Sequence, residues 1–372
     1  MTVHTGRDRK VRPVAPPAPE PAPLVTVIVP NYNYGDVLPL CLDAVFAQTY
    51  APLEVVVADD CSTDGSAAVA TARGARVVRT AVNSGAAVAR SVGAAAANGE
   101  ILFFVDSDVA LAPDAVANAV AVLAGDADIG AVCGIYDPEP LVGNSPVEAY
   151  RALQHHYWTA SSTGDVSFLW SAMFALRAEV FAEVGSFNSR LRHVEEVDYG
   201  DRLARRYRLV STPAIHGRAS HDRFFGLLRK LFLRCRFRVP LYARRQRFAQ
   251  GYETPARAVA AVAALGAAAA VPLPLLLGPL WWAAPAVLLA GSLACDTGMY
   301  RFVLRRRGPA FTAFYLGMHF LVNLVIASAV AAGVLQWLVS RRFRHIYDMP
   351  ETGAAAPAAA APPAAARQGS AR

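Results

Sequence analysis

A chain of 372 residues with a net charge of +7 and 54% hydrophobic residues is long enough for one large domain or two smaller ones. Its mean hydropathy of +0.29 is high for a purely soluble protein, and a part that sits in lipid is expected. Five scattered cysteines (Cys41, Cys61, Cys133, Cys235, Cys295) have no CxxC or metal-ligand spacing, which argues against a zinc module or a disulfide scaffold and fits a reducing compartment.

Residues 1–23, ending in "PVAPPAPEPAP", read as a disordered Pro-rich arm without an apolar signal core, so the following domain is expected in the cytoplasm. From 24 to about 220, short apolar runs alternate with helix-like segments: "LVTVIV", then 36–47; "EVVVA", then 64–72; "ARVV", then 86–97; "ILFFV", then 113–124; and "IGAVCGI". This alternation predicts α/β architecture with right-handed crossovers and a doubly wound, mainly parallel sheet covered on both faces. Ligands of such sheets bind at the carboxyl ends of the strands.

Three strand ends bring polar residues to that rim. The strand at 24–29 ends in Pro30, Asn31, Tyr32 and Asn33; the one at 54–58 ends in Asp59 and Asp60; the one at 101–105 ends in Asp106, Ser107 and Asp108. An aspartate at a strand exit is often a loop residue and nothing more. Three such sets on one rim have a chemistry in common: a carboxylate accepts from a nucleobase imide or a ribose hydroxyl, and two spaced one apart can hold a divalent cation on a diphosphate. Asp64 in "STDGS" reads instead as a helix N-cap.

"VTVIVPNYN", "VVVADDCSTDGS", "NSGAAVARSVG" and "FFVDSD", in this order, resemble the inverting family-2 glycosyltransferases of GT-A fold over about residues 24–220. The resemblance implies a nucleotide-sugar donor, most often UDP-linked, with Mg²⁺ or Mn²⁺ on its diphosphate. It implies that Pro30, Tyr32 and Asp60 line the nucleoside pocket, that Asp106 with its neighbour Ser107 meets the ribose or the metal, and that Asp108 is the main metal ligand. Arg90 stands in "ARS" where the family often has "ARN" and is expected either to support that pocket or to brace a helix by a salt bridge.

Residues 168–207 resemble the family's apolar loop beneath the donor sugar, followed by a GxF turn and an acidic helix start usually written EDxDLxxR. Here Glu195, Glu196, Val197, Asp198, Tyr199, Gly200, Asp201 and Arg202 occupy that start. An inverting transfer needs a carboxylate to take the acceptor hydroxyl's proton. Glu196 replaces the usual Asp, with Glu195 and Asp198 as its neighbours in the acidic cluster; the bland reading is a helix N-terminus favoured by acids. His193, His216 and His221 fall nearby, His216 and His221 without the clean spacing of the family's metal-side His, and His155 and His156 read as the flank of a helix at 145–158.

Residues 221–250 interleave basic and apolar side chains, with Phe224, Leu228, Leu231 and Cys235 at helical spacing. This predicts a basic amphipathic helix on an anionic membrane surface rather than a nucleic-acid binder. The region 251–345 holds apolar runs at 256–277, 279–299 and 310–339, divided by Pro272, Pro274 and Pro279, with Trp281 and Trp282 as interface markers. Arg301 and Arg305 to Arg307 suit the cytoplasmic end of a hairpin. The third run leaves the topology open: one pass exports Arg341, Arg342 and Arg344, whereas 30 residues are too few for two passes. Residues 346–372 read as a disordered Ala/Pro-rich tail.

The expectation is therefore a multi-pass inner (plasma) membrane enzyme with a cytoplasmic catalytic domain and a lipid-linked or membrane-proximal acceptor. A processive polysaccharide synthase is the nearest alternative, but its QxxRW signature is absent; sugar-phosphate nucleotidyltransferases would need a GxGTR-type loop where "PNYN" stands. A non-catalytic membrane scaffold has no use for Asp60, Asp106, Asp108 and Glu196 together.

Overall fold

β1 (Val25–Asn31) is buried at all seven positions. Its alternate side chains serve two cores: Val25, Val27 and Val29 pack with α1 (Leu38–Phe46), while Ile28 packs on the opposite side with Phe104 and Phe174. The computed structural model describes residues 21–143, 145–246 and 254–349; most of the expected arm and of the Ala/Pro-rich tail lies outside these.

β1 pairs in parallel with β2 (Leu53–Asp59) and β4 (Ile101–Val105), and β2 pairs in parallel with β3 (Arg76–Arg79). The crossovers are α1, α2 (Ser66–Ala72) and α3 (Ala86–Ala96). Gly93 of α3 sits so close to β1 that an added Cβ would fall 2.4 Å from Ile28 Cγ2. This part follows the predicted alternation, with ends within about two residues.

The second half departs from it. β5 (Val109–Leu111), α4 (Ala115–Gly125), β6 (Ile129–Tyr136), α5 (Pro146–Ala160), β7 (Gly164–Val166), β8 (Met173–Arg177), α6 (Ala178–Val184), α7 (Glu195–Leu203) and β9 (Arg208–Ala219) follow in order. The sheet runs β3-β2-β1-β4-β8-β6-β9-β5, with β7 also on β9. β8 is antiparallel to both β4 and β6, and β5 and β7 are antiparallel to β9. The sheet is mixed, not mainly parallel. Parallel neighbours need crossovers of a dozen or more residues, and short strands such as β5, three residues beyond β4, can join the sheet only in other ways.

The C-terminal helices are α8 (Phe224–Arg245), α9 (Pro255–Ala270), α10 (Leu273–Leu277), α11 (Ala283–Ala294), α12 (Thr297–Val339) and α13 (Arg341–Arg344), with a 3-10 turn at Pro279–Trp282. Multiple spanning helices are not shown among the described residues. The run 256–277 breaks after α9, and 279–299 begins with the 3-10 turn before α11, because Pro272, Pro274 and Pro279 cannot donate helical N–H bonds. At 1.5 Å per residue, α9 and α11 reach about 24 and 18 Å, short of a hydrocarbon core of about 30 Å. Among the described residues, α12 alone is long and apolar enough to cross a membrane, and it is interrupted at Gly308, whose φ is +78°.

Candidate active site

The β1 and β2 exits are tied to each other. Asn31 Nδ2 donates to Asp59 Oδ1 at 3.2 Å and to Ser66 Oγ at 2.9 Å, and Arg79 Nε donates to Asp59 Oδ2 at 2.9 Å. Asp60 is buried, and its carboxylate accepts from Thr80 Oγ1 (2.8 Å), Ser84 N (2.9 Å) and Gly85 N (2.6 Å). Gly85 adopts φ +94°, a backbone state glycine enters freely, and this turns the 84–85 amides back onto Asp60. Asp60 thus shapes the 80–85 loop. Pro30 is buried in β1 and Tyr32 stands exposed at the rim. Asp64 accepts from Ser66 N at 3.0 Å and Gly35 N at 2.7 Å, but it is not the expected N-cap: Gly65 holds that position, and no side chain caps α2.

Arg90, from α3, joins the two halves of the site. Its guanidinium donates through Nη2 to Asp106 Oδ1 at 2.7 Å and through Nη1 to Glu195 Oε1 at 2.8 Å, and it is almost fully buried. Burial opposes its charge, but Asp106 and Glu195 outweigh that and hold its pKa above the usual arginine value. Arg90 is the salt-bridge brace of the two alternatives, and what it braces is Asp106 and Glu195.

The first turn of α7 carries Glu195 and Glu196, both buried. Burial and the adjacent Glu196 raise the Glu195 carboxyl, with Arg90 opposing. Burial also acts on Glu196, but Arg234 and Arg238 overcome it and keep that carboxyl below its ordinary value. Arg234 is in direct ion-pair contact with Glu196, and Arg238 lies 3.9 Å away. Asp198 is not brought to this place: it bonds Arg202 Nε at 3.1 Å, and Arg202 in turn donates to the carbonyls of Val184 and Ser186. Asp198 locks α7 to the GxF turn.

A cavity of about 660 Å³ opens beside these groups, with Asp106, Asp108, Glu196, Trp170, His221 and Lys230 in its wall. Ser107 is buried between the two aspartates. Asp108 is set by the β5–β9 pairing, through Ser220 N donating to its carbonyl at 2.9 Å. Burial and Asp106 push the Asp108 carboxyl up to about 7, Asp222 adding to this and Lys230 opposing it. Among the described residues no three His, Cys, Asp or Glu side chains form a metal cage. The donor set nonetheless suits Mg²⁺ or Mn²⁺ shared with a diphosphate, since such ions use one or two carboxylates and fill their shell with phosphate and water. A cation there would relieve the negative charge that the fold crowds together at Asp106 and Asp108.

Residues 26–185 match the family model described as Glycosyl transferase family 2. This part of the chain is similar to the family-2 glycosyltransferases. An uncharacterized glycosyltransferase of Haemophilus influenzae is 26% identical over 182 residues, 47% of this chain and 60% of that protein. The succinoglycan biosynthesis protein ExoO of Rhizobium meliloti is 36% identical over 102 residues, 27% of this chain and 29% of ExoO. The chain thus spans 60% or less of the length of these relatives. The solved structure of the mannosyltransferase PcManGT from Pyrobaculum calidifontis, in complex with GDP-Man and Mn²⁺, is similar with a TM-score of 0.53 at 22% identity, over 90% of this chain and 92% of that one. This likeness establishes a shared fold, in keeping with a GT-A mixed sheet.

The family-2 match ends at residue 185, before the acidic pair, so the register of that pair rests on geometry: Glu196 lines the cavity and Glu195 turns to Arg90. Beyond the family-2 match lie the residues that sequence reasoning missed. Nine basic side chains from Arg223 to Arg247 read as lipid contacts, but Arg234 and Arg238 face Glu196, Arg245 Nε reaches Asp201 at 2.9 Å, and Lys230 reaches Asp222 at 3.0 Å. α8 is a wall of the site. His155 and His221 also line the cavity, their rings 5.4 Å apart. His216 instead pairs with Asp137 at 3.0 Å, and His193 packs near Phe237. The one available signal for the inward arginines was helical spacing, Arg234 and Arg238 being four apart on one face.

Proposed function

We propose that this chain moves one sugar, with inversion, from a nucleotide-sugar donor to a lipid-linked or membrane-proximal acceptor at the inner face of the plasma membrane. The observation that carries the reading is Arg90: one buried guanidinium holds Asp106 of the donor rim and Glu195 of the acidic pair, so Asp108 and Glu196 open onto the same cavity. A scaffold would gain nothing from that convergence of like charges.

In this reading residues 24–220 are the catalytic unit, 221–250 the basic segment and 251–345 the lipid-facing region. Pro30, Tyr32 and Asp60 frame the nucleoside site, and Asp106 and Asp108 would hold the divalent cation, Mg²⁺ or Mn²⁺, which would supply positive charge against the leaving diphosphate. Glu196 takes the proton from the acceptor hydroxyl. Arg234 and Arg238 keep Glu196 ionised and ready for that step, and Glu195 anchors Arg90. The lipid-side acceptor is supported by the cavity itself, which runs from these carboxylates to Ala258, Ala261 and Leu265 of α9 and to Ile326, Ala327 and Val330 of α12. Apolar walls of this kind suit a hydrocarbon chain.

A panel of UDP- and GDP-sugars, incubated with the full chain and Mg²⁺ or Mn²⁺, with and without lipid-linked acceptors, tests the reading. Release of nucleotide from at least one donor, stimulated by an acceptor carrying a hydrocarbon chain, is the expected result. If no donor is turned over, transferase activity has to be abandoned; stimulation by water-soluble acceptors alone removes the lipid part.

A further inference from the structure

Residues 309–339 combine two properties that conflict in water. The segment contains no Asp, Glu, Lys or Arg, and its outward side chains, among them Phe314, Val330, Val334, Leu335, Leu338 and Val339, are exposed and apolar. A helix that merely covers a soluble domain turns a polar face outward; this one turns outward a face fit for lipid.

Both of its ends are nevertheless fastened to the sheet-bearing part of the molecule. Just before the break at Gly308, Arg306 and Arg307 donate to the two oxygens of Glu139, which follows β6, at 3.0 and 2.7 Å. Tyr315 then packs on Tyr150 of α5 with ring centroids 4.6 Å apart, and His319 Nδ1 lies 3.1 Å from the Tyr150 hydroxyl. Farther along, Gly333 abuts α8 so closely that an added Cβ would fall 2.7 Å from Val239 Cγ2, and Arg236 Nε donates to Gln336 Oε1 at 2.7 Å.

After the helix the chain returns to the domain instead of leaving it. Phe343 packs on Phe237 at 5.7 Å, the Tyr347 hydroxyl donates to the Phe237 carbonyl at 2.9 Å, and Asn188 Nδ2 and Arg190 Nη1 donate to the carbonyls of Tyr347 and Asp348. Ile346 and Tyr347, expected in a disordered tail, are part of the core around Phe187 and Val194. A helix of 31 residues is about 46 Å long, and an end-to-end crossing would carry its far end well beyond a hydrocarbon core of about 30 Å. The contacts at both ends exclude that.

We propose that residues 309–339 lie along an anionic lipid surface as an in-plane helix, with α13 and its arginines on the same side of the membrane as the catalytic unit. The charge pattern fits that occupant: exposed Arg305, Arg306 and Arg307 precede the apolar face, exposed Arg341, Arg342 and Arg344 follow it, and both clusters meet the same headgroup layer. The single-pass conflict with the positive-inside rule disappears, because nothing after Gly308 is exported. The inference rests on the membrane reading above, and its test separates the two.

The full chain is made with Cys61, Cys235 and Cys295 replaced by serine and with single cysteines at Ala127→Cys, on an exposed loop before β6, or Arg342→Cys. Inverted and right-side-out membrane vesicles from expressing cells are treated with a membrane-impermeant maleimide. Both cysteines should label to the same extent in one vesicle type and stay at background in the other. Nitroxides at Phe314→Cys and Val339→Cys, 25 residues apart, should report equal shallow depths, whereas a crossing helix would separate them by roughly 37 Å. Labelling of Arg342→Cys from the side opposite to Ala127→Cys, or a depth difference on the scale of the bilayer, overturns the in-plane helix and leaves the membrane reading standing. Recovery of the protein in the soluble fraction overturns both.

Discussion

Arg234 of α8 is ion-paired with Glu196 at the first turn of α7, so a helix whose basic residues look like lipid anchors in sequence supplies one of them to the acidic pair of the site. The pairing sets the charge state of Glu196. Burial pushes this carboxyl toward protonation, and Arg234 with Arg238 reverses that push. Arg234→Gln weakens the reversal, so the Glu196 carboxyl rises and its ionised form is lost at a higher pH. The acid limb of the kcat/KM profile should move to higher pH in Arg234→Gln and less so in Arg234→Lys. An unmoved acid limb with uniformly lower activity would mean that Arg234 is structural and does not tune Glu196.

Removing the carboxylate itself separates chemistry from binding. Loss of a positioned general base typically lowers rate by about 10²- to 10⁴-fold, so Glu196→Gln should fall by that order while nucleotide-sugar affinity, measured by calorimetry, changes little. Glu195→Gln acts through Arg90, which keeps an acceptor at that position but loses one of its two buried counter-charges. We expect a milder rate effect and a stability loss of roughly 1–3 kcal/mol from the weakened charged hydrogen bond. Were Glu195→Gln the inactive variant and Glu196→Gln the active one, the assignment within the pair would be reversed.

Asp108→Asn keeps the volume and removes the charge. Transfer should drop by orders of magnitude, and chelation of divalent ions should lower wild-type activity to the same low level without lowering it further in the variant. Circular dichroism should show an unchanged fold. Near-normal turnover by Asp108→Asn, or full wild-type activity in excess chelator, would dismiss Asp108 as a metal ligand.

His221 predicts an acid sensitivity. Burial, with Arg151 and Lys230 close by, holds its pKa down to about 3, against about 6.5 in an unfolded chain. The unfolded state therefore binds a proton that the folded state refuses between these values, and stability decreases as pH falls from about 6.5 toward 3. In His221→Gln this contribution is gone. Urea unfolding at pH 7.5 and pH 4.5 should show a smaller acid-induced loss in the variant than in the wild type; equal losses would mean that the ring is protonated freely in the folded protein.

Local pattern was enough for the first half of the sheet. "VTVIV", "EVVVA" and "ILFFV" are continuous apolar runs whose neighbours can only be other buried strands, and their polar exits at Asn31, Asp59 and Asp106 follow from the chain having to leave the core there. The acidic pair was also legible, since a helix beginning with Glu195 and Glu196 carries its own signal. The antiparallel insertion of β8 between β4 and β6 was not, because β8 reads as an apolar run like any other and strand direction depends on which neighbours the chain has already placed.

The same limit explains α8 and α12. Composition alone marked residues 221–250 as basic and amphipathic and residues 310–339 as apolar, and a basic helix and a long apolar helix form there. Which arginines face Glu196 depends on a helix start 38 residues back in the chain, and whether an apolar helix points away from its domain or lies along it depends on partners more than a hundred residues away, Glu139 at one end and Asn188 at the other. Hydrophobicity is a local property of side chains and can be read from the sequence, whereas the direction of a helix is fixed by long-range contacts that exist only once the sheet has formed.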